Sequence, residues 1–216
     1  MKKLFLLMCL ILPYFVSAGS QSKYIEAMKA AIDALFQSEN LEDYQAAANT
    51  FERIGLAEQN EWYPYYYLAL TRIFMSTQNG NPKDVDVYLD QAQEAIDAAI
   101  LRHQVPDSEI TALQGFILML RIPVDPATRG PQLSGAAMQK FSKAVQLNLE
   151  NPRAHYLLAN MQMGTAQFFG NGISEACVTL DRSIVLFENQ IATDDLLAPI
   201  WGKEMAASLK KKCEQE

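Results

Sequence analysis

A chain of 216 residues, half of them apolar and a fifth charged, has the length of one ordinary domain or two small ones and the composition of a folded protein. Collagen, disorder and a polytopic membrane protein are thereby excluded. A formal net charge of −7 and the lack of a basic tract make the chain repel phosphate backbones, so no nucleic-acid partner is expected.

The first twenty residues, MKKLFLLMCLILPYFVSAGS, follow the three-part plan of a secretory signal peptide: two lysines, an apolar run from Leu4 to Val16, then small residues. The run is shorter than the ~20 apolar residues that cross a bilayer core as a helix, and Pro13 interrupts it. Val16 and Ala18 stand third and first before a cut. Cleavage after Ala18 therefore makes 1–18 the signal peptide and 19–216 the mature domain. An uncleaved anchor is the alternative. Lipid attachment at Cys9 is disfavoured by the bulk of Met8 before it. No other apolar stretch is long enough to span a bilayer, so no stable membrane insertion is expected after cleavage.

Beyond the leader, helices are predicted over 22–37, 41–58, 62–77, 82–103, 107–122, 131–148, 152–167, 173–189 and 196–213, with no strand signal. The separators within pairs are Asn79-Gly80-Asn81-Pro82, the stretch from Pro123-Val124-Asp125-Pro126 to Gly130-Pro131, and Gly170-Asn171-Gly172. Helix 196–213 closes the series, and Lys210–Lys212 near its end complement the helix dipole as a solvated cap. Helices 173–189 and 196–213 should run antiparallel, which brings Cys177 opposite Cys213. In an exported chain that permits a disulfide worth about 2–4 kcal/mol. Two reduced thiols are the alternative.

Four segments share a small residue, a large apolar residue four later, and a small or apolar residue three beyond. They are Ala47-Phe51-Ile54, Ala92-Ile96-Ala99, Ala137-Phe141-Ala144 and Ala176-Leu180-Ser183. Spacings of four and three keep each trio on one helical face. A second set of small residues lies inside apolar helical runs: Ala69, Gly115, Ala159 and Gly202. From first set to second the steps are 22, 23, 22 and 26 residues, and the return steps are 23, 22 and 17.

In this the chain resembles the tetratricopeptide repeat family, which pairs two helices through small residues at a close crossing, with a large apolar residue on the second helix. That family's roughly 34-residue period divides into about 12 positions within a pair and about 22 to the next. The longer step is kept here, and the extra residues fall within the pairs. The resemblance runs from about Lys23 to the end and is clearest in LENPRAHYLLANMQMG and AAMQKFSKAVQLNLENP. HEAT-type helical repeats are the fold alternative. A closing helix with Trp201-Gly202-Lys203-Glu204 is similar to a group of small exported tetratricopeptide proteins of Gram-negative bacteria. The resemblance implies an all-α solenoid of about four antiparallel helix pairs plus a closing helix. It also implies a periplasmic address and a non-enzymatic role in binding a protein or peptide. A structural subunit of an envelope complex is the alternative role, and a small-molecule-binding or enzymatic protein is a third.

In the family the first helix of each pair lines the concave face. Here the matching positions are Tyr66, Leu70 and Phe74, then Ala112, Phe116 and Met119, then Tyr156, Asn160 and Met163. Asn160 matches the asparagine of members that clamp a peptide carboxylate, but Tyr156 stands where their lysine should be, so that mode is not expected. The run Trp62-Tyr63-Pro64-Tyr65-Tyr66-Tyr67 is the sharpest local feature. A helix apolar nearly all round is ordinarily buried, yet some of Tyr63, Tyr66 and Tyr67 should face the groove. Phe168-Phe169 is a second contact candidate, and Arg121, Asp125 and Arg129 belong to the edge formed by the loops within pairs.

No catalytic constellation emerges. His103 and His155 lie on different helical pairs: His103 closes its helix as an ordinary cap, and His155 has no acidic or thiol partner at metal-ligand spacing. The sequence holds no nucleophile elbow, no phosphate-cradling loop and no H-E-x-x-H. Asp84, Asp86 and Asp90 lack the glycine and final glutamate of a calcium loop. No enzyme activity, metal or cofactor is expected.

Overall fold

The computed structural model describes residues 18–78, 81–190 and 195–215, so the expected leader lies, Ala18 apart, outside the described residues. Among the described residues are nine α-helices, one short 3-10 turn (Ile122–Val124) and no strand. The helices are α1 (Ala18–Phe36), α2 (Leu41–Ala57), α3 (Tyr63–Gln78), α4 (Pro82–His103), α5 (Ser108–Arg121), α6 (Pro126–Leu147), α7 (Pro152–Phe168), α8 (Ser174–Glu188) and α9 (Lys203–Cys213). None of them is long and apolar enough to cross a membrane.

Local chemistry starts these helices. The side chains of Asn40, Asn81, Asp107, Asp125 and Asn151 each accept a backbone N–H of the first turn of α2, α4, α5, α6 and α7. Such a bond satisfies a donor that the helix itself leaves free. Proline opens α4, α6 and α7, where its missing N–H costs nothing. Asn151 has a further role: buried, it donates to the Ser108 hydroxyl at 2.8 Å, which in turn donates to the Ala144 carbonyl at 2.7 Å. One cap thus ties α5, α6 and α7 together.

Each helix packs on the next, and α1 on α3, α3 on α5, α5 on α7 and α7 on α9. The odd-numbered helices therefore form a continuous layer. Both sets of small residues lie at the buried crossings, Ala47, Ala69, Ala92, Gly115, Ala137, Ala159, Ala176 and Gly202 all being inaccessible or nearly so. Closeness is greatest at Gly115, where an added Cβ would come within 2.6 Å of the Phe141 ring. At the far end a disulfide joins Cys177 of α8 to Cys213 of α9, with Cα atoms 5.9 Å apart.

Two boundaries differ from the sequence reading. Helix α6 begins at Pro126 and runs through Pro131, where the sequence suggests a break. The reason is tertiary. Arg129 makes a two-pronged ion pair with Asp86 of α4, both bonds 2.8 Å, and donates to the Arg121 carbonyl at 3.2 Å. That clamp holds the first turns in place despite the one bond that Pro131 forfeits. Helix α9 begins at Lys203 rather than 196. Residues 195–202 are non-helical, with Pro199 in the middle and Gly202 at φ +103°, a left-handed conformation that suits glycine.

Candidate functional site

The non-helical segment 195–202, here termed the strap, lies against the odd-numbered layer. Its anchor is Trp201, which is buried. The Trp201 indole stacks on Phe116, centroids 6.1 Å apart and planes 14° apart, and meets Phe74 edge-on at 6.5 Å. Its N–H donates to the Tyr66 hydroxyl at 2.8 Å. Leu197 is also buried, while the Leu197 and Ala198 carbonyls accept from the Tyr67 hydroxyl at 3.0 and 3.2 Å. Tyr63 donates to the Asp195 carboxylate at the strap's start.

Beneath the strap lies one ion pair. Arg153 Nε reaches Glu109 Oε1 at 2.8 Å, with the two side chains only 4% and 12% exposed. Glu109 also accepts from the Tyr66 hydroxyl at 3.0 Å. Burial pushes the Glu109 carboxyl above the usual carboxylate range, against the pull of Arg153 and Tyr66. Burial opposes the charge on Arg153, and the neighbouring Glu109 and Tyr66 more than offset it. Burial likewise raises the phenols of Tyr66 and Tyr67, keeping both as hydrogen-bond donors. The relay from Trp201 through Tyr66 to Glu109 and Arg153 satisfies polar groups that would be costly if left alone in an aromatic interior.

The groove residues read from the sequence are therefore placed as follows. Tyr66, Tyr67, Leu70, Phe116, Tyr156 and Met163 are buried, and Tyr63, Met119 and Asn160 are partly buried. Asn160 donates weakly to the Met119 sulfur at 3.9 Å. At the α3 and α5 positions the chain's own Trp201 and Leu197 occupy the groove expected to be open, because an aromatic surface loses less in contact with apolar side chains than in water. At the edge, Arg121 pairs with Asp86 at 3.2 Å and with Asp90 at 2.6 Å, so it and Arg129 are engaged within the fold. Phe168 and Phe169 are 78% and 69% exposed at the end of α7 and touch each other edge-on. His103 lies against the Trp62 ring and His155 against the Leu149 carbonyl. No group of three or more His, Cys, Asp or Glu able to hold a metal ion occurs among the described residues.

Sequence reasoning missed Trp201, Leu197, Glu109 and Arg153 as parts of the concave face. Pro199 and Gly202 were the available signals that residues 196–202 leave the helix.

Open hollows remain among the described residues. Between α1 and α2 runs a groove of about 820 Å³ whose walls are mostly alanine, Ala27, Ala30, Ala34, Ala46 and Ala57 among them, with Arg53 beside it. Between α7 and α9 lies a hollow of about 450 Å³ lined by Tyr156, Glu204, Met205, Ser208, Leu209 and Lys212. Both volumes fall in the range of small-ligand sites.

Stacked helix pairs and a closing helix define an all-α protein. No protein-family model matches the chain, and no curated protein matches it. Among solved structures it is similar to the HusA haemophore from Porphyromonas gingivalis. The two share 26% identity with a TM-score of 0.78, over 94% of this chain and 96% of that one.

Proposed function

We propose that this protein is an exported, non-enzymatic carrier of haem or a related porphyrin. The observation that supports the reading is the likeness to a haemophore over nearly the whole of both chains. In this reading the helix pairs form a tetratricopeptide-type solenoid, and residues 1–18 direct the chain to the periplasm and are removed. A porphyrin is a broad apolar ring with carboxylates along one edge. It needs an apolar wall and a cation near the rim, which the hollow between α7 and α9 offers in Met205, Leu209 and Lys212. A peptide laid in an aromatic groove, the role implied by the family resemblance, has no open groove to enter while Trp201 and Leu197 fill it.

The test is a titration of residues 19–216 with haemin, followed by the shift of the main porphyrin absorption band. Saturation at one equivalent supports the carrier reading, and an unshifted band with no saturation rejects it. The packed concave face favours one further role, a rigid subunit of an envelope complex. Crosslinking in cells that recovers a defined complex, together with no haemin binding, would select that role instead.

A further inference from the structure

The hollow between α7 and α9 carries an inference that rests on the carrier reading and gives it a location. Tyr156 is only 5% exposed, yet its hydroxyl makes no hydrogen bond to the protein among the described residues. Its ring is buried, but the hydroxyl is not sealed from solvent, so it can donate to a molecule seated in the hollow. Glu204, Ser208 and Lys212 follow one another at intervals of four along α9 and so form one stripe, with Met205 and Leu209 on the stripe beside it. Glu204 and Lys212 thus stand two turns apart, at opposite ends of the hollow, and neither has an ion-pair partner among the described residues. The wall is apolar and polarised, acidic at one end and basic at the other.

We propose that this hollow is the porphyrin site: the ring lies against Met205 and Leu209, Lys212 pairs with a ring carboxylate, and the Tyr156 hydroxyl donates to the ligand. Glu204 repels carboxylates from the other end, which fixes the direction in which the ring enters. Burial pushes the Tyr156 phenol up to about 12, so it remains a donor at neutral pH. The larger α1–α2 groove also has a cation, Arg53, but its wall is an alanine stripe of the kind that close helix crossings leave behind, with no aromatic side chain on it.

Four variants of residues 19–216 test the site by haemin titration, with circular dichroism confirming the fold of each. Ser208→Trp fills the hollow from an exposed position and should weaken binding about tenfold or more. Tyr156→Phe removes one hydrogen bond and Lys212→Glu reverses the carboxylate partner, each weakening binding roughly two- to tenfold. Ala46→Trp, in the α1–α2 groove, should bind as the parent does. Parent-like binding by the first three variants would overturn the site and leave the carrier reading standing. Weakening by Ala46→Trp alone would do the same by moving the ligand to the other groove. Failure of the parent protein to bind haemin would reject the carrier reading itself, and the site with it.

Discussion

Trp201 donates its indole N–H to the hydroxyl of Tyr66 at 2.8 Å, a bond between residues 135 positions apart that pins the strap to the third helix. The contact is both apolar and polar, since the same ring stacks on Phe116. Trp201→Ala should therefore cost about 3–5 kcal/mol, as other buried aromatic truncations do. Trp201→Phe keeps most of the ring and leaves the Tyr66 relay short of one donor, so about 1–2 kcal/mol is expected. Urea unfolding measures both. Equal losses in the two variants would show that the ring's bulk adds nothing beyond its N–H.

Gly115 sits inside α5, where alanine is ordinarily better than glycine by up to about 1 kcal/mol. Here the sign reverses. A Cβ at this position would meet Phe141 at 2.6 Å, so Gly115→Ala should destabilise by about 1–3 kcal/mol through overpacking. The double variant Gly115→Ala, Phe141→Leu should recover part of the loss, and a double-mutant cycle reads the coupling. An additive cycle would refute the steric account.

Reduction of Cys177–Cys213 releases a link across 36 residues. The expected loss is about 2–4 kcal/mol, read as a lower midpoint in urea with reductant than without. Its effect should centre on α9, whose buried contacts rest on Ala206 and Leu209. Hydrogen exchange should accordingly quicken in α9 more than in α4.

Asp86 supplies the pH dependence. Hydrogen bonds from Arg129, with its charge and that of Arg121 alongside, hold the Asp86 carboxyl below the usual carboxylate range. A lowered pKa in the folded state means that the unfolded chain binds the proton first. The stabilisation is complete above the unfolded value of about 3.9 and is lost as pH falls toward the folded one. At pH 7 Asp86→Asn should melt roughly 2–4 °C below the parent, and the gap should close in acid. A gap that persists unchanged at low pH would mean that the clamp on α6 does not depend on the charge.

Much of the architecture was legible in the sequence because its cause is local and periodic. Ala92, Ile96 and Ala99 lie on one face by spacing alone, and the crossings require small residues wherever the axes meet. Most helix starts were equally readable, since Asn151-Pro152 or Asp107 ahead of an apolar run is a cap whatever the fold. The start of α6 was not. Gly130-Pro131 reads as a break on local grounds, and the clamp that overrides it comes from Asp86, 43 positions away.

The candidate site divides in the same way. Tyr66, Tyr67, Phe116 and Tyr156 could be assigned to the concave layer from their register in the repeat. That the layer is covered, and by which segment, depends on where residues 195–202 travel after α8, and no periodic signal records a path through space. The hollow between α7 and α9 is a still more distant consequence, arising only once the closing helix is seated on the last pair. Sequence alone determined the helices, their pairing and the small residues at their crossings, because those follow from spacing along the chain. The tertiary structure alone decided which aromatic surface is closed and which hollow stays open, because that depends on contacts between residues far apart in the chain, 135 positions for Tyr66 and Trp201.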